Sequence, residues 1–226
     1  MTPQWTEILP SRILETGPSP THTIIWMHGL GADGNDFVPI VNELNLFPDV
    51  HIRFVFPHAN MRPVTINNGY VMRAWYDISN IKLNHQEDEN GIRDSQNAIE
   101  RLIDHQIICG IKPENIILAG FSQGGAMALH VGLRQKNKLA GILALSCYLP
   151  LVNTLLKEVK PANSSIPILM AHGNRDPIVP VELAIRSRDL LLNNKYKVEW
   201  HEYAMEHSVC AEEIADLRSW LMRIVK

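Results

Sequence analysis

The chain has 226 residues, of which 46% are hydrophobic and 20% are charged, and its formal net charge is −3. This length suits one α/β domain with a full hydrophobic core, so we expect residues 1–226 to form a single domain. The nearly balanced charge provides no basic surface that would attract nucleic acid or an anionic membrane. We therefore expect neither of these as a main partner.

Cysteine usage and the N-terminal residues bear on the location of the protein. Cys109, Cys147 and Cys210 form no C-x-x-C pair, and an odd number cannot be fully paired within one chain. Reduced thiols are typical of a cytoplasmic protein. The first fifteen residues lack the pattern of a secretory signal, and no apolar run approaches the ~20 residues that span a membrane. We expect a cytoplasmic protein without stable membrane insertion.

Segments with strand and helix patterns alternate along the chain. The strands are predicted at residues 23–27, 51–56, 115–119, 140–146, 166–171 and 197–203. The helices are predicted at residues 36–46, 92–108, 124–133, 181–192 and 214–224, the second of them with apolar residues every three or four positions. This alternation predicts an α/β fold with a mostly parallel sheet covered by helices on both faces. The active site of such a sheet lies at the carboxyl ends of its strands.

One long connection interrupts this alternation. Residues 57–91 show no clear periodicity, and loops of this length in compact domains are usually functional or disordered. The stretch 69–77 is too aromatic and apolar for disorder, so we expect the loop to fold over the site and line an acyl pocket. The acidic run 87–89 has two interpretations: a cation site, or a solvated turn that favours the start of the next helix.

A G-x-S-x-G motif follows the strand predicted at residues 115–119. The motif, Gly120-Phe121-Ser122-Gln123-Gly124, lies between that strand and a helix rich in small residues. This is the setting in which the motif forms a nucleophile elbow, a sharp turn that points the serine hydroxyl out of the sheet. The glycines on either side avoid clashes within the turn. The sequence therefore predicts Ser122 as the nucleophile of a serine hydrolase.

Two further residues complete a triad in the expected chain order. Asp176 follows the strand at residues 166–171, and His207 follows the strand at residues 197–203. The order Ser…Asp…His is the one that this fold uses. Asp176 precedes a proline and could simply form a turn. His172 is the main rival to His207 as the general base. We expect Asp176 as the acid and His207 as the base.

A glycine-rich loop, His28-Gly29-Leu30-Gly31, follows the first predicted strand. A phosphate-binding role is disfavoured because the loop does not spell G-x-G-x-x-G and is followed by no Walker lysine. In a hydrolase, the loop at this position supplies one N–H of the oxyanion hole, and the residue after the nucleophile supplies the other. The predicted donors are the backbone amides of Leu30 and Gln123.

Six strings spread over most of the chain carry a family resemblance: HGLGADGNDF (28–37), MRAWYDI (72–78), GFSQGGAMALH (120–130), LSCYLP (145–150), HGNRDPIVP (172–180) and MEHS (205–208). They resemble the phospholipase/carboxylesterase family of small α/β-hydrolases, which includes acyl-protein thioesterases; the string VMRAWYDI is closer to the bacterial carboxylesterases. The resemblance implies a minimal α/β-hydrolase without a cap domain. It places the nucleophile, the acid and the base on Ser122, Asp176 and His207.

The resemblance also bears on the substrate pocket and on oligomeric state. It implies oxyanion donors at Leu30 and Gln123 and an acyl-binding surface near Trp75 and Leu149. Tyr148 stands where tryptophan is common in the family, which alters the expected shape of this pocket. Many members form dimers, so a homodimer is an expectation as well.

We expect a serine carboxylesterase that hydrolyses short- to medium-chain acyl esters through an acyl-serine intermediate, without metal or organic cofactor. An acyl-protein thioesterase or a lysophospholipase is the alternative, with an acylated protein or lipid as substrate. A non-catalytic binding module on the same fold is a further alternative. A metal hydrolase has no H-E-x-x-H spacing to support it, although four candidate ligands lie near strand ends. These four are His28, His172, His207 and Asp176.

Overall fold

The structure, a computed structural model, describes residues 8–46, 50–79 and 87–225. The nine strands in these ranges are β1 (Ser11–Glu15), β2 (His22–Met27), β3 (Ile52–Pro57), β4 (Met61–Val64), β5 (Tyr70–Arg73), β6 (Ile116–Phe121), β7 (Gly141–Leu145), β8 (Pro167–Gly173) and β9 (Lys197–Tyr203). The six α-helices there are α1 (Ile40–Leu44), α2 (Glu89–Ile108), α3 (Gln123–Arg134), α4 (Val152–Glu158), α5 (Val181–Asn193) and α6 (Ala211–Ile224).

Seven strands form one sheet in the order β1-β3-β2-β6-β7-β8-β9. β1 pairs with β3 in antiparallel orientation, and every other pair of neighbours is parallel. Apolar side chains of the central strands alternate between two buried clusters, one beneath α2 to α5 and the other beneath α1 and α6. The predicted fold class, a mostly parallel sheet with helices on both faces, is therefore confirmed.

The elements that sequence periodicity missed or misjudged have little apolar patterning. The helix predicted over residues 36–46 is shorter in the structure, where α1 begins after Pro39 and ends at Leu44, before Asn45, whose φ is +41°. β1 was not expected because it is an edge strand with no fully buried residue. α4 is a seven-residue helix with one buried residue, Leu155.

Within the described ranges, none of the helices combines the length and apolar character needed to cross a membrane.

The connection predicted as a loop over residues 57–91 contains regular structure. β4 and β5 form an antiparallel hairpin, in which Met61 pairs with Arg73 and Val64 pairs with Tyr70. Residues 80–86 of this connection lie outside the described residues. At its end, the Asp88 side chain accepts a hydrogen bond from the Gly91 amide and caps α2. This contact supports the turn interpretation of the acidic run.

The backbone of α3 packs directly against the ends of β2 and β6, and glycines make this approach possible. A Cβ on Gly124 would lie 2.2 Å from the Met27 carbonyl oxygen, and a Cβ on Gly120 would lie 2.3 Å from the carbonyl group of Gly124. Both distances are too short for any side chain. The turn between β6 and α3 is consequently fixed by contacts of main chain with main chain.

We expect Gly124→Ala to lower the free energy of unfolding by more than about 3 kcal/mol, because the new methyl group would meet the immovable backbone of β2. Gly110→Ala is the control: its φ is +93° but a Cβ there meets nothing within 4 Å. Its cost should be about 1 kcal/mol, from backbone strain alone. Urea denaturation measures both, and equal losses would contradict this account of the turn.

Candidate active site

The turn between β6 and α3 places Ser122 in a strained conformation. Its φ is +55° and its ψ is −120°, a region that residues other than glycine rarely occupy. The Ser122 amide donates to the Leu145 carbonyl of β7 at 2.8 Å, and the Ser122 carbonyl accepts from the Ala126 amide at 3.0 Å. Ser122 is thus fixed by the sheet on one side and by the first turn of α3 on the other.

Asp176 and His207 are paired at the carboxyl ends of β8 and β9. Nδ1 of His207 lies 2.6 Å from Oδ2 of Asp176, and the Asp176 side chain is fully buried. The other carboxylate oxygen, Oδ1, accepts from the amides of Ile178 and Val179 at 2.8 and 2.9 Å. A carboxylate accepts only, so Nδ1 of His207 carries the proton and Nε2 keeps its lone pair.

Phe121 connects this pair to the turn that carries Ser122. Its ring centroid lies 4.7 Å from that of His207, and Phe121 directly precedes Ser122 in the chain. The imidazole therefore packs on the residue adjoining the serine. The three residues predicted as a triad are all found at the carboxyl edge of the sheet, where the ends of parallel strands meet.

The loop after β2 is held by both nitrogens of His28. Nε2 accepts a hydrogen bond from the Ala59 amide at 3.1 Å, so the proton is on Nδ1, which donates to the Gly29 carbonyl at 2.7 Å. Burial lowers the pKa of His28 and favours this neutral form. Gly29 lies against Ser122, since a Cβ on it would be 3.5 Å from the serine Cβ. Leu30 follows directly in this loop.

Gln123 is the first residue of α3, so its backbone N–H has no acceptor within the helix. Its side chain, which is almost fully buried, makes two hydrogen bonds to the segment after β5. Oε1 accepts from the Trp75 amide at 2.8 Å, and Nε2 donates to the Tyr76 carbonyl at 2.7 Å. The residue that follows the serine therefore also fixes one wall of the site.

An apolar cavity of about 280 Å³ opens beside Ser122. It is lined by Leu30, Ile66, Asn67, Tyr76, Ile78, Ser122, Gln123, Tyr148, Ile178, Val179 and Leu183. It brings together the predicted nucleophile, both residues with predicted oxyanion amides, and Tyr148. Ile178 and Val179 belong to the turn that binds the Asp176 carboxylate. The cavity and the His–Asp pair therefore share one segment of chain.

Two residues expected on the acyl-binding surface lie behind this lining. Trp75 is 1% exposed, and its indole N–H donates to the His28 carbonyl at 3.0 Å, so it supports the loop after β2. Leu149 is 3% exposed, and its backbone amide donates a hydrogen bond to Ser187 Oγ. Tyr76 belongs to the stretch 69–77 that was expected to line the pocket. Sequence reasoning missed Ile178, Val179 and Leu183, because nothing in their pattern marks them as pocket residues.

A pair of tyrosine hydroxyl groups joins two sides of the cavity. The hydroxyl oxygens of Tyr76 and Tyr148 lie 2.9 Å apart. Burial raises the pKa of each of them well above the ordinary value, so both stay protonated at neutral pH. The pair closes the cavity between the segment after β5 and the loop after β7.

The other candidate ligands and bases are engaged elsewhere. His172 is fully buried, and its Nε2 lies 2.8 Å from the Val179 carbonyl, so it does not face the cavity as a free base. Both nitrogens of His28 bind backbone groups, which removes it as a metal ligand. In residues 8–46, 50–79 and 87–225, no three His, Cys, Asp or Glu residues are grouped so as to hold a metal ion.

We expect Gln123→Met to lower the free energy of unfolding by about 2 to 4 kcal/mol, because the Trp75 amide and the Tyr76 carbonyl would both lose a buried partner. Gln96→Met is the control, since Gln96 is only partly buried and bonds to side chains, with an expected loss less than half as large. Urea denaturation of both variants provides the test. A Gln123 variant as stable as the control would show that these two bonds do not hold the wall.

The chain is similar in sequence to known proteins over most of its length. A profile described as phospholipase/carboxylesterase matches residues 10–225. The chain is 40% identical over 212 residues to acyl-protein thioesterase 1 of Gibberella zeae, covering 90% of each chain. It is 41% identical over 211 residues to acyl-protein thioesterase 1 of Neurospora crassa, covering 89% of this chain and 86% of that one.

The fold is similar to that of solved structures. The crystal structure of Arabidopsis thaliana SOBER1 superimposes with a TM-score of 0.86 at 31% identity. The match covers 91% of this chain and 99% of that one, so nearly all of the fold is shared.

Proposed function

Because the chain belongs to the phospholipase/carboxylesterase family, we propose that it hydrolyses acyl esters and thioesters through an acyl intermediate on Ser122. One observation carries the proposal: a strained Ser122 lines an apolar cavity, and Phe121, the residue before it, packs on the His207 ring of the Asp176–His207 pair. Each element of acyl transfer has a candidate residue there. A non-catalytic binding module would need none of them.

In the first step, Nε2 of His207 takes the hydroxyl proton while Ser122 Oγ attacks the acyl carbonyl carbon. Asp176 accepts from Nδ1 of His207, orients the ring and stabilises its charged form. The tetrahedral intermediate then collapses, the alcohol or thiol takes the proton from His207, and the acyl group stays on Ser122. Water, deprotonated by His207, attacks this ester and releases the acid and the free serine.

The negative charge on the intermediate needs donors that are already in place. We propose the backbone amides of Leu30 and Gln123, one in the loop that His28 holds and one at the start of α3. Loss of one such donor commonly costs about 3 kcal/mol of transition-state stabilisation. His28 and Gln123 bind their surroundings through neutral side chains, so both donors are fixed before substrate arrives.

The size of the cavity favours acyl groups of short to medium length. Its volume of about 280 Å³ lies at the small end of ligand pockets, which span roughly 300–1,000 Å³. The thioesterase alternative is favoured by the fungal relatives, which are named acyl-protein thioesterase 1. We propose an acylated small molecule, protein or lipid as the substrate class. The cytoplasmic location and the homodimer expected from the sequence stay predictions.

We expect a fluorophosphonate probe to label wild-type protein at Ser122, because the probe reacts only with a serine activated by a base. Ser122→Ala and His207→Ala should both abolish labelling. Ser164→Ala, which changes an exposed serine that does not line the cavity, should label like wild type. Peptide mapping by mass spectrometry identifies the modified residue. Absence of label on folded wild-type protein would contradict the proposed function.

The acyl-length preference tests the role assigned to the tyrosine pair. We expect Tyr148→Ala to shift the optimum towards longer acyl chains, because it removes one wall of the cavity, whereas Tyr148→Phe should leave the optimum unchanged. The measurement is kcat/KM over a series of acyl lengths, run in parallel for oxygen esters and thioesters. Tyr196→Ala is the control, since Tyr196 is buried but does not line the cavity.

The same series separates the candidate substrate classes. Activity that falls off beyond short chains favours a carboxylesterase, and a preference for long-chain thioesters favours a thioesterase. If Tyr148→Ala and Tyr196→Ala change the profile alike, Tyr148 does not limit the acyl chain.

A further inference from the structure

Two imidazole rings meet the same carboxylate oxygen. Asp176 Oδ2 lies 2.6 Å from Nδ1 of His207 and 3.4 Å from Nε2 of His172. The side chain of His172 is 1% exposed and that of Asp176 is 0% exposed. Asp176 therefore has a second histidine neighbour, deeper in the fold, that the proposed acyl transfer does not use.

The hydrogen bonds of His172 fix the position of its proton. Nε2 lies 2.8 Å from the carbonyl oxygen of Val179, which can only accept, so Nε2 carries the proton. Asp176 Oδ2 lies 3.4 Å from the same nitrogen, beyond ordinary hydrogen-bond distance, so the N–H is used by Val179. The Val179 amide in turn donates to Oδ1 of Asp176 at 2.9 Å. His172, Val179 and Asp176 thus form a closed set of contacts.

The surroundings of His172 keep its ring neutral. Nδ1 is buried and has no hydrogen-bond partner among the described residues, so a second proton there would have no acceptor. The ring of Trp200 lies parallel to the imidazole, with centroids 6.5 Å apart. Burial lowers the pKa of His172 and His207 acts in the same direction, and together they outweigh the opposing effects of the Val179 carbonyl, Asp176 and Glu202.

We propose that His172 is a positioning residue for the proposed triad: as a neutral N–H donor it holds the Val179 carbonyl, and the Val179 amide in turn holds the Asp176 carboxylate towards His207. The inference rests on the proposed function, since it assigns a role within the same site. A charged His172 would compete with the His207 imidazolium for the negative charge of Asp176. A neutral ring that fixes the Val179 turn leaves the charge of Asp176 available to His207.

This arrangement also couples the triad to the acyl cavity. Val179 lines the cavity, and its backbone binds both His172 and Asp176. A hydrogen bond to the Val179 carbonyl therefore fixes two things: the part of the cavity wall that Val179 forms, and the Asp176 carboxylate that binds His207. His172 touches neither the cavity nor Ser122, so its effect on the reaction passes through Asp176 and Val179.

The test is His172→Leu in the full chain, assayed with a chromogenic ester over a range of pH. We expect kcat/KM to fall about tenfold, mainly through kcat, as is common when a hydrogen-bond partner behind a catalytic group is removed. We also expect the acid limb of the kcat/KM profile to move to higher pH. Without the bond from His172, the Val179 turn holds its amides less firmly on Oδ1 of Asp176. The carboxylate then attracts the protonated ring of His207 more strongly and stabilises this inactive form.

Two variants separate positioning from stability. His172→Gln keeps an amide donor near the place of Nε2 and should recover most of the activity and the wild-type pH limb. His130→Leu is the matched control: His130 is also fully buried, uses Nε2 for its hydrogen bond, has an unpartnered Nδ1, and has its pKa lowered to about 3 by burial. It should lose stability like His172→Leu but keep the wild-type pH profile.

The protonation of His172 can also be measured in the wild-type protein, so this test does not depend on the folding of a variant. Nitrogen NMR of ¹⁵N-histidine-labelled protein should show His172 neutral and protonated on Nε2 from about pH 5 to pH 8, while an unburied histidine titrates near pH 6.5. A proton on Nδ1, or titration of His172 in this range, would overturn the inference.

The pH profiles of the variants test the inference as well. Wild-type pH limbs in folded His172→Leu, or the same shift in His130→Leu, would also overturn the inference. If the wild-type protein reacts with neither ester nor fluorophosphonate, the proposed function fails, and the tautomer of His172 is still decided by the NMR spectrum.

Discussion

The site depends on the contact between the first turn of α3 and the carboxyl ends of β2 and β6. Main chain meets main chain there, and Gly120 and Gly124 leave no room for a side chain. This contact holds Ser122 at a positive φ and leaves the Gln123 amide without a helical acceptor. The strained serine and the free donor beside it are therefore two consequences of one packing constraint.

The remaining parts of the site are fixed by buried neutral groups around this turn. His28 and Gln123 bind backbone groups on the loop after β2 and on the segment after β5. The turn after β8 binds the Asp176 carboxylate through two amides and presents Val179 to the cavity. Such groups need no rearrangement when charge develops on the substrate, which is the condition for electrostatic stabilisation of a transition state.

The sequence predicted the parallel sheet and the residues that follow its strands, because buried strands and strand-to-helix turns leave strong local patterns. Ser122, Asp176 and His207 were predicted in this way. The hairpin of β4 and β5 was not, because its strands are short and mostly exposed. Trp75 was placed on the acyl surface, but its burial against His28 depends on long-range packing that periodicity does not record.

The central claim is that the acyl group passes through Ser122. The most direct measurement is mass spectrometry of wild-type protein that is acid-quenched during turnover of a chromogenic ester. The account predicts one acyl group per chain, on the peptide that contains Ser122, and none in Ser122→Ala. An acyl group on another residue, or undiminished hydrolysis by Ser122→Ala, would contradict it.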